Sequence, residues 1–322
     1  MQVLLVKLSS MGDIIHVLPA LTDAKKAIPS IQFDWVIEPA FAEIPCWHTA
    51  VNHVIPMALR HWRKHLVEAI QKKYFSAFYK HLVEKKYDLI IDAQGLIKSA
   101  IVSKLARGTC CGYNTQSAKE KVASYFYSKQ YAINKNQHAI MRARELFSKA
   151  LQYDLPDTVP DYQINLQKLP SLSFPIPKQY VVFLHGTTRP MKYYSEKYWK
   201  TLIEKIEEKR TTIFLPWGNE SEKMRAERLS LNHSNAIVLP KLNIAELGTL
   251  LKNAMAVVAV DTGLGHLSAA LSTPTISLYG PTDPKRIGTI GYKQIHLQAE
   301  QTSAEIDIHP DKIMGLLDIL IT

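Results

Sequence analysis

Asp13 follows a glycine in "KLSSMGDIIHVLPAL", residues 7–21, where a buried strand pattern turns into a helical one. A carboxylate there can cap the helix, or it can take a proton as a general base. A comparable junction lies in the second half: "AVVAVDTGLGHLSAAL" reads as a strand over 256–260, a turn, and a helix opening near Gly265 or His266. Gly263 and Gly265 let the backbone approach a ligand, and the free N–H groups of a helix start suit a diphosphate. The plainer reading has Asp261 and Thr262 capping that helix and the glycines serving only the turn. "VVFLHGTTRPMKYYSEKYW" ends a strand near His185 and presents Thr187, Thr188 and Lys192, two hydroxyls and a cation for phosphate oxygens. "TTIFLPWGNESEKM" ends another with Glu222 in the first helical turn, where the dipole favours an acid and ribose hydroxyls can donate to it. "ISLYGPTDP" ends a fourth with a Gly280 and Pro281 turn able to flank a base. Each is ordinary alone; four compatible strand ends together point to a nucleotide diphosphate.

These residues need strands to carry them. The short apolar runs "VLLVKL", "FDWVIE", "YDLIIDA", "YVVFLH", "TTIFLP", "AVVAVD" and "TISLYG" alternate with helical patterns, a βαβ rhythm that predicts an α/β fold with parallel sheets covered on both faces. Pro156, Pro160, Pro170, Pro175 and Pro177 interrupt residues 151–178, which lack sustained periodicity and mark a boundary near 160–178. The expected domains are 1–165 and 166–322, both doubly wound and facing across a cleft. Ligands of such sheets bind beyond the carboxyl ends of the strands.

A length of 322 residues exceeds what one hydrophobic core usually serves, in keeping with two domains. No apolar run approaches the ~20 residues of a membrane span. The chain starts directly in strand pattern, "MQVLLVKL", without the regions of a signal peptide, so a cytoplasmic location is expected. Cys46 stands alone and Cys110 adjoins Cys111, a pattern of free thiols rather than of a disulfide or metal framework. Charge is uneven: residues 51–150 hold 18 Lys and Arg against 6 Asp and Glu, while the remainder is nearly balanced. That concentration calls for an anionic partner: nucleic acid, lipid headgroup or charged substrate. The dinucleotide fingerprint G-x-G-x-x-G after the first strand, the P-loop and a metal-holding D-x-D pair are all missing from the sequence, so neither cofactor nor metal is expected.

"VKLSSMGDIIHVLPALTDA", "DAQGLIKSA", "FLHGTTR", "LPWG" and "VDTGLGHLSAA" together resemble the lipopolysaccharide core heptosyltransferases essentially end to end, with "SSMGD" and "DAQGLIKSA" closest to the first-acting branch. The resemblance implies a GT-B-type, inverting, metal-independent transferase that moves L-glycero-D-manno-heptose from ADP-heptose to the first Kdo of Kdo2-lipid A. It assigns the donor to the C-terminal domain, through Thr187, Thr188, Lys192, Glu222, Asp261, Thr262, Gly263 and His266. It assigns the role of catalytic base to Asp13. The family's "TAR" reads "SAK" here, so Lys119 would meet an acceptor phosphate as a point charge instead of a fork.

Inversion requires the acceptor hydroxyl to attack the anomeric carbon from the face opposite the departing ADP, which places the base on the acceptor side. Asn caps about as well as Asp, so Asp13→Asn is expected to fold with a nearly unchanged melting temperature and to lose turnover. "LRHWRKHLVEAIQKKYFSAFYKHLVEKK", residues 59–86, mixes basic with aromatic residues. It reads as a solvated basic face or as a surface that meets phosphates and acyl chains. With the resemblance, Arg60, Arg63, Lys64, Lys98 and Lys119 become acceptor residues at the cytoplasmic face of the inner membrane, with no nucleic acid involved. The alternatives are a second or third heptosyltransferase acting on a heptosylated core, a nucleotide-sugar epimerase, and a basic nucleic-acid-binding protein.

Overall fold

The computed structural model describes residues 1–187, 189–300 and 305–321. Its chain divides into two compact units, Met1–Asn165 and Leu166–Thr322.

In the first unit β1 (Gln2–Val6), β2 (Gln32–Ile37), β3 (Val51–Pro56), β4 (Lys86–Asp92), β5 (Arg107–Tyr113) and β6 (Lys129–Tyr131) form one sheet in the order β3-β2-β1-β4-β5-β6. Every pairing is parallel. Val3, Leu4, Leu5 and Val6 are fully buried because helices cover both faces of the sheet, which is why β1 reads as an unbroken apolar run. On one face, helix Ala139–Leu151 turns Ile140, Ala143, Arg144, Phe147 and Leu151 inward at helical spacing. Phe147 packs against Phe33 with ring centroids 5.8 Å apart. Arg144 Nε donates to Asp23 Oδ2 at 2.6 Å, tying that helix to helix Leu18–Ala27.

The second unit repeats the plan. β7 (Tyr180–Leu184), β8 (Thr212–Leu215), β9 (Ala236–Val238), β10 (Ala256–Val260), β11 (Thr275–Tyr279) and β12 (Gln294–Gln298) pair in parallel in the order β12-β11-β10-β7-β8-β9. Helix Glu196–Glu207 starts at Ser195, whose Oγ accepts from the Tyr198 N–H at 3.2 Å. It buries Trp199 against Phe183 and Tyr194. In each sheet the order runs outward from the first strand in both directions. The switch points, where such sheets bind ligands, therefore lie at the carboxyl ends of β1 and β4 and of β7 and β10.

Among the described residues, no helix is long and apolar enough to cross a membrane.

Candidate active site

The first switch point holds Asp13. Helix Met11–Ile15 opens right after β1, with Ser10 as its N-cap and Asp13 as its third residue. Asp13 is thus not the cap itself. Its Oδ2 accepts from the Ser10 N–H at 3.2 Å and from the Ser10 hydroxyl at 3.1 Å, the reciprocal half of a capping box. Its Oδ1 faces the ammonium groups of Lys119 at 3.2 Å and Lys7 at 3.4 Å. Burial pushes the Asp13 carboxyl up, but Lys7, Lys119 and the Ser10 N–H outweigh it and hold the group well below the ordinary carboxylate range. Burial lowers the Lys7 pKa, with Asp13 opposing.

The other side of this switch point is "DAQG". The buried Asp92 Oδ1 accepts from the N–H groups of Gln94 at 2.8 Å and Gly95 at 3.0 Å, and its Oδ2 from the Tyr127 hydroxyl at 2.7 Å. Gly95 sits at φ +69°, a conformation that glycine adopts without strain. The turn so fixed aims Gln94 Oε1 at the N–H of Leu8, 3.0 Å away, and the Ala93 carbonyl at Lys7 Nζ, 3.2 Å away. The start of the strand-end loop that carries Asp13 is therefore anchored by the turn after β4. The pocket around Asp13 is lined by Lys7, His16, Gln94, Tyr113, Lys119 and Arg142 among others. Of these, sequence reasoning named only Lys119. Arg142 lies over the Tyr113 ring at 5.2 Å and donates to the Ser117 carbonyl at 2.8 Å.

At the second switch point, helix Gly263–Ala270 starts two or three residues earlier than its pattern predicts, with Thr262 as an N-cap that makes no side-chain cap bond. Lys192, in a short 3-10 turn over Pro190–Lys192, pairs with Asp261. The Thr187 hydroxyl reaches the Asp261 carbonyl at 3.5 Å. His266 is buried in the first turns of the same helix. Glu222 is the third residue of helix Glu220–Ser230 and accepts from the Gly218 N–H at 2.7 Å. A Cβ on Gly186 would fall 2.7 Å from Glu222 Cδ, so this glycine leaves room for that carboxylate beside the end of β7. Thr188 lies outside the described residues. The structure thus brings Thr187, Lys192, Asp261, Thr262 and Gly263 to adjoining strand ends, with Glu222 after the next strand, β8. Among the described residues no group of three or more His, Cys, Asp or Glu side chains could hold a metal ion.

His185, directly after β7, is fully buried, and among the described residues neither ring nitrogen has a partner of good geometry; the Pro216 carbonyl gives only weak support. Burial, with Arg225 adding repulsion, lowers its pKa to about 4. An unfolded chain protonates histidine near ~6.5. Below that pH the unfolded state gains a proton that the folded state refuses, so stability falls as the pH drops towards 4, where the loss levels off. The expected loss is up to about 3 kcal/mol. Urea midpoints at pH 7, 5.5 and 4.5 check it: His185→Leu should remove this part of the decline, and parallel curves for both proteins would contradict it.

The basic residues also follow strand ends. Arg60, Arg63 and Lys64 lie exposed on helix Leu59–Lys64 beyond β3, and the Arg60 N–H donates to Glu38 Oε1 at 3.3 Å beyond β2. Lys98 is half-buried on helix Ile97–Leu105 beyond β4. Lys119 alone of the five touches Asp13 in this structure. Beside the basic helix runs an apolar groove lined by Ile55, Ala58, Trp62, Tyr74 and Phe78, with His61 and His81 at its edge. Trp62 there packs on Phe75 and Phe78, ring centroids 4.8 and 5.8 Å away.

Residues 75–317 match Glycosyltransferase family 9 (heptosyltransferase). The lipopolysaccharide heptosyltransferase 1 of Pseudomonas aeruginosa is 50% identical over 301 residues, 93% of this chain and 84% of that protein. The structure of the Escherichia coli heptosyltransferase WaaC with ADP superposes with a TM-score of 0.92 at 45% identity, covering 99% of this chain and 100% of the other. The same E. coli enzyme with ADP-2-deoxy-2-fluoro heptose superposes with a TM-score of 0.89 at 44% identity, covering 99% of both chains.

Proposed function

The chain belongs to glycosyltransferase family 9, the heptosyltransferases, and from that footing we propose that it moves L-glycero-D-manno-heptose from ADP-heptose to the first Kdo of Kdo2-lipid A, inverting the anomeric centre. What carries the donor assignment is the ADP-heptose analogue held by a solved relative alike over nearly the whole chain. In this reading the unit 166–322 binds ADP-heptose through Thr187, Thr188, Lys192, Glu222, Asp261, Thr262, Gly263 and His266. The unit 1–165 binds the acceptor and supplies Asp13 as the base. The acceptor oxygen attacks C1 of the heptose, Asp13 takes its proton, and the diphosphate departs with the bonding pair. Lys192 and the N–H groups opening helix Gly263–Ala270 matter most as charge grows on that diphosphate.

The test is incubation with ADP-heptose and Kdo2-lipid A in EDTA. Acceptor-dependent ADP release and a lipid heavier by one heptose are the expected results, surviving chelation. A requirement for an already heptosylated acceptor would make it a later heptosyltransferase, and conversion of the donor without acceptor into a new nucleotide sugar would make it an epimerase.

Arg60, Arg63 and Lys64 are assigned to acceptor phosphates and the membrane surface. The support is their exposure on one short helix next to the apolar groove of Trp62, Tyr74 and Phe78. Each cation near an anionic surface contributes about 1 kcal/mol, so replacing all three with Ala should lower kcat/KM for vesicle-borne acceptor by roughly 100-fold. The KM for ADP-heptose should hold. Equal losses for both substrates would reject the assignment.

A further inference from the structure

Every acceptor position of the Asp13 carboxylate is taken. Lys119 and Lys7 occupy Oδ1, and the Ser10 N–H and hydroxyl occupy Oδ2. An ionised carboxylate offers about four lone-pair sites. A base that must receive a hydroxyl proton has first to lose a partner. Lys7 is poorly placed to leave: its side chain is 6% exposed and the Ala93 carbonyl holds its ammonium as well. The Ser10 N–H is fixed backbone. Lys119 is 44% exposed and reaches Asp13 from the far end of a flexible side chain. In the same pocket the Arg142 guanidinium has a buried Nε with no hydrogen-bond partner among the described residues. Lys7, Lys119 and Arg142 face a single lining carboxylate, so the pocket is short of two negative charges.

We propose that Arg142 and Lys119 form the subsite for the carboxylate of an acidic acceptor sugar, and that this carboxylate draws Lys119 off Asp13 and uncovers the base. The proposal rests on the reading of Asp13 as the base and deepens it. During transfer the bond from acceptor oxygen to C1 forms and the bond from C1 to the diphosphate oxygen breaks. The hydroxyl proton goes to the site on Oδ1 that Lys119 vacated, and the electron pair leaves with ADP. With no acidic acceptor present Lys119 stays in place, a water molecule finds no proton acceptor, and the donor sugar is protected from hydrolysis. The carboxylate is therefore a requirement for turnover as well as for binding.

The experiment first confirms that wild-type protein releases ADP with Kdo2-lipid A; silence there would count against the proposed function and leave nothing for the subsite to explain. Acceptor-independent ADP release from ADP-heptose is then compared among variants. Lys119→Met should raise it by ~10-fold or more, since the base is uncovered without an acceptor. Adding Asp13→Asn should abolish that rise. Arg142→Met should raise the acceptor KM ~30-fold or more, the usual scale for truncating one partner of a charge pair. An acceptor whose Kdo carboxylate is reduced to the alcohol should be a poor substrate for the wild type. Unchanged hydrolysis in Lys119→Met, or a rise that persists with Asp13→Asn, overturns the uncovering. An unchanged acceptor KM in Arg142→Met, or full activity on the reduced acceptor, overturns the subsite. Wild-type far-UV circular dichroism in each variant shows that the fold is intact.

Discussion

Asp13→Asn is expected to lower turnover by ~10²- to 10⁴-fold, the range for losing a general base. The same change should also cost stability, against what sequence reasoning expects from exchanging one capping residue for another. The reason is Lys7. Its ammonium is buried, 3.4 Å from Asp13 and 3.2 Å from the Ala93 carbonyl, and a neutral amide leaves it without a directly paired carboxylate, Asp92 acting only from farther off. An uncompensated buried charge costs several kcal/mol at full burial, and Asp13 itself keeps 30% of its side chain in contact with solvent, which moderates the penalty to about 2 kcal/mol. For a unit of this size that is a fall of ~4–8 °C in melting temperature. The loss eases as pH rises, because Lys7 can then shed its proton. Lys7→Met with Asp13→Asn removes both charges and should recover the melting temperature without recovering turnover. A double variant that is stable and active would reduce Asp13 to architecture, whereas one that is stable and inactive separates the base from the scaffold.

How far the sequence reveals such a site depends on where its parts lie along the chain. The runs around 3–8, 33–38, 87–93, 180–185, 211–216, 256–261 and 275–280 correspond to β1, β2, β4, β7, β8, β10 and β11. These carry long aliphatic stretches because most lie in the middle of a sheet with both faces covered. β3 and β12 lie at sheet edges and are mostly half-buried or exposed, β6 and β9 have three residues each, and β5 reads "RGTCCGY". Glycine stands in β5 because a Cβ on Gly112 would strike the Tyr127 ring at 2.6 Å, a constraint visible only once the ring is placed. Asp13, Lys192 and Asp261 stand out in the sequence because a strand end followed by a turn is a local pattern. Lys7, Gln94 and Arg142 do not, since parallel pairing of β1 with β4 brings the first two together and helix Ala139–Leu151 adds the third, from positions 7, 94 and 142. The helical pattern of Gly263–Ala270 is legible only from Gly265 or His266 onward, because the glycines at 263 and 265 weaken its signal.

Lys192→Met carries the second large effect, an expected ~10²- to 10³-fold loss in kcat, the scale for removing one group that stabilises transition-state charge. In the structure this lysine already has a partner: its ammonium pairs with Asp261, whose side chain is only 6% exposed. In the proposed donor site ADP-heptose would share the cation with Asp261, and the share that falls to the diphosphate would grow as the glycosidic bond breaks and negative charge builds on the leaving oxygen. Only an interaction that strengthens on the way to the transition state raises kcat, so kcat should fall by much more than the affinity for ADP. Removing the lysine also leaves Asp261 buried and unpaired, a loss of ~3–5 kcal/mol that could pass for catalysis if only activity were measured. Lys192→Met with Asp261→Asn answers this: the pair of neutral side chains should restore the melting temperature of the C-terminal unit while kcat stays low. Calorimetry with ADP on both variants, beside single-turnover rates, reads the two effects separately. A Lys192→Met protein within ~3-fold of wild-type kcat would mean that the lysine serves Asp261 alone, and that the amide groups opening helix Gly263–Ala270 carry the leaving diphosphate without it.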